Sequence, residues 1–348
     1  MTGAGWSIAH TLIVKYVTGI RLFRGAGLLA ALCAVYAAPA RIPNIPPPAT
    51  FDSAAINNPQ TMDLVQPRSR GSAVLRAQIL LDRVHFSPGE IDGSYGRNLR
   101  KAVVAYQSTH GLEPNGTVDA ATWTALNSEK GPALIAYTIA PQDVAGPFYE
   151  IPEKMEDKAK LDALAWTSAI EGISETFHVN PKLLQQLNPT ADFKTVGQQI
   201  VAPNVTAPFF AKAAQVVVDK SNSSVSAYDT SGKLLAYYPA TIGSVHDPLP
   251  VGDWKITGVK WRPWFFYNSA LFWDADEAHA TAKIHPGPNN PAGVVWIGLS
   301  KEHYGIHGTP EPSTIGHTSS HGCIRLTNWD AAQLASMVAP GAPAILKE

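Results

Sequence analysis

The chain has 348 residues, a formal net charge of −1 and a hydrophobic share of 45%. That length accommodates two or three domains with a well-buried core, and that composition excludes wholesale disorder. A near-neutral charge without a basic patch or stripe excludes a nucleic-acid binder.

Residues 1–40 differ from the rest. Lys15, Arg21 and Arg24 precede the apolar run "GAGLLAALCAVYAAPA". The run is shorter than the roughly 20 apolar residues of a spanning helix. It ends in Ala38-Pro39-Ala40, a small-residue cleavage pattern. The segment reads as a secretory signal, so the protein is expected outside the cytoplasm, in the periplasm or cell envelope. If it stays uncleaved, the same segment becomes a membrane anchor. Removal of the signal takes Cys33 with it and leaves Cys323. An odd cysteine in an exported protein has no internal disulfide partner, so it is either a reactive thiol or an inert core residue.

Residues 41–70, which begin "RIPNIPPPATFDSAAINNPQ", are rich in Pro, Asn, Ser and Gln and are expected to form a flexible linker. Residues 71–128 are expected to form a small three-helix domain. "SAVLRAQILLDRVHF" carries Val74, Leu75, Ile79, Leu80 and Val84 close to helical spacing. "SPGEIDGSYG" is turn chemistry, "RNLRKAVVAYQSTHGL" is a second amphipathic helix, and Asp119 caps a third in "VDAATWTAL". Tyr106 and Trp123 fit core positions better than ligand-facing ones. The "AVLRAQILLD" helix, the "G-x-x-D-G-x-Y-G" turn, "AVVAYQSTHGL" and "NGTVDAATWTAL" together resemble the peptidoglycan-binding domain that accompanies many wall enzymes. That resemblance implies glycan as a partner.

Residues 133–206 read as a helical spacer. "LAWTSAIEGISETFHVNPKLLQQLNPT" gives two helices separated at residues 178–181, and "VGQQIVAP" gives a short strand. The helix-turn-helix-strand order resembles a LysM repeat, and a purely structural spacer fits equally well. Residues 213–348 turn to β pattern. "AQVVVDKSNSSVSAYDTSGKLLAYYPATIG", "DWKITGVKW" and "AGVVWIGL" give strand-like runs separated by turn residues, which predicts a β-sandwich or open barrel. The whole chain is thus an α+β multidomain protein. The aromatic insert at residues 261–291 is long for a loop. It fits a lid or binding loop and, equally, a satellite hydrophobic cluster.

Four of the eleven histidines fall within residues 303–325, "HYGIHGTPEPSTIGHTSSHGCIR". His303 and His307 are four apart, as are His317 and His321, which would place metal ligands together on a helix face. The glycines and prolines of the window oppose helix, and there is neither H-E-x-x-H nor a second thiol, so zinc is disfavoured. A thiol nucleophile with a histidine base fits better. A histidine that takes the Cys323 proton yields a thiolate–imidazolium pair. His321 is near in sequence. His307, on a strand end, reaches Cys323 if a hairpin returns the chain. Gly322 permits a sharp turn or close substrate approach, and the N–H groups of Gly322 and Cys323 suit an oxyanion. A helix begins near Asn328, capped by Thr327 or Asn328.

His307-Gly308 followed by Ser320-His321-Gly322-Cys323-Ile324-Arg325 closely resembles the YkuD-type L,D-transpeptidase catalytic domain, with supporting matches in "ATIGSVHDPLPVGDW" and "PNNPAGVVWIGL". The resemblance implies that Cys323 is the nucleophile and His307 the general base, oriented by the carbonyl of Gly308. It implies that His321 lines the site, that Ser320 orients the histidines or the turn, and that Arg325 contacts a substrate carboxylate. Tyr304 lines the cleft, His303 is a strand residue at its edge, and His317 and His285 lie on the surface. The implied substrates are peptidoglycan stem peptides, with no metal or organic cofactor. The implied product is a cross-link formed through a thioester with release of D-alanine. Water as acceptor would make the protein an L,D-carboxypeptidase, and a protein amine would make it a wall-attachment enzyme. A reading of another class is a non-catalytic wall-binding scaffold.

Overall fold

The computed structural model describes residues 51–205, 211–271 and 281–348. The signal, residues 41–50 of the expected linker and residues 272–280 of the aromatic insert lie outside the described residues.

The linker expectation fails over residues 51–70. Asp52 caps a short helix, α1 (Ser53–Asn57), by accepting a hydrogen bond from the Ala54 N–H. Ile56 and Val65 are fully buried, and Val65 pairs with Val118 in an isolated β-bridge. The polar composition of this stretch hides two apolar anchors, each of which gains about 1.5–3 kcal/mol by burial.

Three helices come next, α2 (Ser72–Arg83), α3 (Arg97–Thr109) and α4 (Ala120–Leu126). Asp119 caps α4 by accepting from the Thr122 N–H. Tyr106 and Trp123 are buried in the core of this module. The amphipathic pattern of α2 understates its burial. Val74, Ala77, Leu80 and Leu81 pack into the three-helix core, while Leu75 and Ile79 pack into a second core with the following module. Its polar side chains are therefore buried as well and are matched with partners. Arg76 donates to the Ile56 carbonyl and to Asn127 Oδ1, at 2.9 and 2.7 Å. Gln78 donates to Asp92 Oδ1 at 2.9 Å and accepts from the Gly93 N–H at 2.8 Å.

The next module runs β1 (Leu134–Thr138), α5 (Pro141–Val144), α6 (Met155–Lys158), α7 (Ala169–Thr176), α8 (Pro181–Leu187) and β2 (Gln199–Pro203). β1 and β2 pair antiparallel, so a strand that sequence reasoning missed closes the module. Its core is continuous with Leu75, Ile79 and Ile91 of the helical module, which makes it an integrated layer and not a detached spacer.

The C-terminal region builds one nine-stranded sheet. Its strands are β3 (Gln215–Asp219), β4 (Ser224–Tyr228), β5 (Leu234–Pro239), β6 (Thr241–Ile242), β7 (Gly252–Trp261), β10 (Val295–Leu299), β11 (Gly305–His307), β12 (Ile324–Arg325) and β13 (Pro343–Lys347), with α9 (Asn328–Met337) between the last two. The spatial order is β5-β4-β3-β13-β7-β10-β11-β12-β6. β5 and β6 stand at opposite ends of that order, yet only Ala240 separates them in the chain. The sheet must therefore curl back on itself into a nearly closed barrel, around a core that includes Val216, Val295, Ile306, Ile324 and Leu334. In the insert, β8 (Phe265–Tyr267) and β9 (Ala282–Ile284) form a hairpin whose Tyr267 and Ile284 pack on Leu164. The described part of the insert is thus the satellite-cluster alternative.

Because Ile79 belongs to the core shared by two modules, Ile79→Ala should cost about 2–5 kcal/mol. Calorimetry should show one transition shifted downward, with amide exchange accelerated at β1 and β2 as well as in α2–α4. Exchange accelerated only in α2–α4 would contradict a shared core.

Candidate active site

β11 lies between β10, which it pairs antiparallel, and β12, which it pairs parallel. The hairpin expected between His307 and Cys323 is therefore absent, and residues 308–323 form a crossover. Parallel neighbours need a connection of a dozen or more residues, which accounts for the long gap between the two halves of the motif. In register, Ile306 faces Ile324 and His307 faces Arg325. Side chains alternate along a strand, so Ile306 and Ile324 point into the core, both fully buried. His307 and Arg325 share the other face, and Cys323 stands just before β12, where the Arg325 charge acts on both Cys323 and His307.

The His307 ring is held from three directions. It is only 5% exposed. It stacks on Trp296, its partner on β10, with ring centres 5.3 Å apart and planes 14° apart. Nδ1 lies 2.7 Å from the Gly308 carbonyl oxygen. A carbonyl can only accept, so Nδ1 carries the proton and Nε2 presents a lone pair. The Gly308 backbone is fixed in turn by Asn328. A Cβ on Gly308 would collide with Asn328 Oδ1, a contact only glycine avoids. Asn328 accepts from the Val294 N–H at 3.1 Å and donates to the Pro288 carbonyl and to Glu175. The α9 cap is Thr327, which accepts from the Asp330 N–H, and this leaves the Asn328 side chain for that role.

Cys323 is half-buried, and its Sγ lies 3.7 Å from the His303 carbonyl oxygen. Gly322 has φ +96°, a left-handed conformation, and a Cβ there would lie 3.0 Å from Tyr304 Cε1. Tyr304 is half-buried against that turn. Ser320 is buried, donates to the Cys323 carbonyl at 2.5 Å and, through its own N–H, bonds the Gly243 carbonyl at 3.2 Å. It thus closes the Ser-His-Gly-Cys turn. His321 is half-buried at the turn, and His317 is exposed. His285 is half-buried with its ring 4.1 Å from that of Trp264, so it belongs to the insert cluster and not to open surface. His303 departs from expectation. It is an exposed turn residue with φ +67°, and only its carbonyl faces the thiol.

The electrostatics favour uncharged partners at rest. Burial, then the Arg325 guanidinium, pull the His307 pKa down to about 3 against the opposing Gly308 carbonyl. Burial pushes the Cys323 thiol up, while the Gly305 N–H and Arg325 partly offset it. Both shifts favour the uncharged forms of Cys323 and His307 at rest over the thiolate–imidazolium pair that the sequence suggests. The Tyr304 phenol is also raised, first by burial and then by Cys323 and Asp247. Arg325 Nε is buried without a hydrogen-bond partner among the described residues, which leaves donor capacity for an anion.

Trp296, Asn328, Gly243 and Gly305 escaped the sequence reading as site residues. Trp296 lies within "PNNPAGVVWIGL", the stretch next to the motif. The others act through packing or backbone groups that no motif encodes.

Comparison with known proteins gives a consistent outcome. The L,D-transpeptidase catalytic domain family matches residues 213–346, and a putative peptidoglycan binding domain matches residues 70–126. The putative L,D-transpeptidase YkuD of Bacillus licheniformis is 30% identical over 178 residues, which cover 49% of this chain and 89% of that protein. The Bacillus subtilis YkuD is 28% identical with the same coverages. The probable L,D-transpeptidase YbiS of Escherichia coli is 25% identical and matches over 54% of its length. Among solved structures, the L,D-transpeptidase of Xylanimonas cellulosilytica is 16% identical, with a TM-score of 0.36, and the match covers 83% of this chain and all of that one.

A neutral pair makes a distinct prediction. Alkylation of Cys323 by iodoacetamide should accelerate about tenfold per pH unit from pH 6 to pH 9, because only the thiolate reacts. A rate already at its plateau below pH 7 would mean a preformed ion pair and contradict this electrostatic picture.

Proposed function

The chain belongs to the L,D-transpeptidase family, and from that premise we propose that it cross-links peptidoglycan stem peptides through a thioester on Cys323. The observation that supports the reading is the register of β11 and β12, which pairs His307 with Arg325 two residues after Cys323, with the bare Nε2 of His307 available to a proton.

The steps follow from the neutral resting pair. As Sγ attacks the carbonyl of the third stem residue, the thiol proton moves to His307 Nε2. The Arg325 charge favours the thiolate form of Cys323 at that moment. The oxyanion is held by the N–H groups of Gly322 and Cys323. The bond to the terminal D-alanine breaks, and His307 returns the proton to the departing amine, which leaves a thioester. The acceptor amine then loses a proton to His307 and attacks the thioester, and the sulfur regains its proton as the new amide forms. Arg325 binds the donor carboxylate through its guanidinium, and Tyr304 and His321 line the cleft.

The accompanying modules and the N-terminal segment extend this reading. Residues 71–128 hold the enzyme on wall glycan, and residues 1–40 direct export to the cell envelope. If the segment is retained, it tethers the enzyme to the membrane.

Tetrapeptide-containing muropeptides incubated with the protein should give, by mass spectrometry, dimers lacking one D-alanine. Cys323→Ala should give none. Arg325→Ala should reduce kcat/KM by about 10- to 100-fold, the scale of a charge-assisted hydrogen bond. Tripeptides without dimers would identify water as the acceptor, and turnover by Cys323→Ala would remove the thiol from the mechanism.

A further inference from the structure

The match to the catalytic-domain family begins at residue 213, so the module that ends in β2 lies outside it. Contacts from that module nevertheless run to the His307 ring. Glu175, near the end of α7, accepts through Oε1 from Asn328 Nδ2 at 3.2 Å. The same Nδ2 donates to the Pro288 carbonyl at 3.1 Å, and Asn328 Oδ1 accepts from the Val294 N–H at 3.1 Å. An amide nitrogen only donates and an amide oxygen only accepts, so two acceptors on one side and a donor on the other fix which way round the amide lies. Asn328 is buried, and a bond left unmade there would be costly.

The oriented amide packs on the backbone that serves His307. A Cβ on Gly308 or on Gly293 would collide with Asn328 Oδ1, and one on Gly293 would also lie 2.6 Å from the Gly308 carbonyl carbon. Gly293 and Asn328 thus hem in the carbonyl that faces His307 Nδ1. The second acceptor of Asn328 is anchored on the same module as Glu175. Asn289, next to Pro288, bonds the Leu164 carbonyl through its N–H at 2.9 Å and Glu171 Oε1 through Nδ2 at 2.9 Å. The Leu164 N–H bonds the Pro286 carbonyl in return at 3.2 Å. Burial pushes the Glu175 carboxyl up to about 8, so at neutral pH it is an uncharged acceptor that glutamine matches in shape.

We propose that Glu175 is a positioning residue for His307: it holds the Asn328 amide, the amide holds the Gly308 carbonyl, and that carbonyl keeps the ring hydrogen on Nδ1. The module between β1 and β2 is thereby a working part of the active site and not only a spacer. The inference rests on the reading of His307 as general base. Glu175 acts at two removes from the ring, so its loss lowers kcat and leaves KM unchanged.

Two measurements on the full chain test this: nitrogen-15 NMR of labelled histidine, and steady-state turnover of muropeptides. In Glu175→Ala, a second His307 population with hydrogen on Nε2 should appear, and kcat should fall about tenfold, the scale of one hydrogen bond. Glu175→Gln, which keeps the acceptor, should retain the single Nδ1–H tautomer and most of kcat. Because the effect passes through Asn328, adding Glu175→Ala to Asn328→Ala should cost nothing further, whereas independent sites would give additive losses. Thermal unfolding checks that each variant is folded, and if Asn328→Ala is not, the comparison of Ala with Gln at residue 175 decides. A native tautomer and kcat in Glu175→Ala, equal losses in Ala and Gln, or additive losses in the double variant would overturn the proposal. The tautomer is read without substrate, so absence of turnover by the unaltered protein would sink the transpeptidase reading and leave this one tested.

Discussion

The site depends on one short piece of parallel pairing, two residues of β11 against two of β12. Its register is not free to drift. Ile306 and Ile324 are fully buried on the core side, against the barrel interior and α9. A slip of one residue would turn them outward and drive His307 or Arg325 into an apolar core. The hydrophobic packing that stabilises the barrel is therefore the same constraint that keeps imidazole and guanidinium on a common face. The Leu326 N–H bond to the His307 carbonyl, at 2.9 Å, continues this pairing past the end of β12.

Support for that pairing comes from all three modules. Asn328, on the first turn of α9, packs against Gly308 and reaches Glu175 in α7. The crossover is held on its other side by the helical module, where Asn98 at the start of α3 donates to the Ile315 carbonyl at 2.8 Å and Arg97 reaches the Gly316 carbonyl. α2 lies between two cores and welds the first two modules together. The helical module is thus more than an appendage, because it touches the chain segment between His307 and Cys323.

Sequence alone made the motif legible, since Ser-His-Gly-Cys and His-Gly are local strings with specific chemistry. It also exposed the three helices and most barrel strands through periodicity. What it missed shares a physical cause. The crossover is not legible in the sequence, because strand direction is set by tertiary pairing and not by residue pattern. β1 went unseen because "LIAYT" is a short apolar run that fits helix or strand. Residues 51–70 looked like linker because Ile56 and Val65 are isolated anchors in polar surroundings. The preference of His307 and Cys323 for their uncharged forms is not legible in the sequence because burial, the largest cause for both groups, is set by tertiary packing.

The most direct test of this account is the protonation state of the His307 ring, read by nitrogen-15 NMR of the protein labelled at histidine. The account predicts the neutral tautomer with hydrogen on Nδ1 and none on Nε2, unchanged from pH 8 down to pH 5, since its pKa lies near 3. An imidazolium at pH 7, or a neutral ring with its hydrogen on Nε2, would contradict it. The imidazolium would mean a preformed ion pair in place of the neutral one, and the Nε2 tautomer would leave the thiol proton without an acceptor.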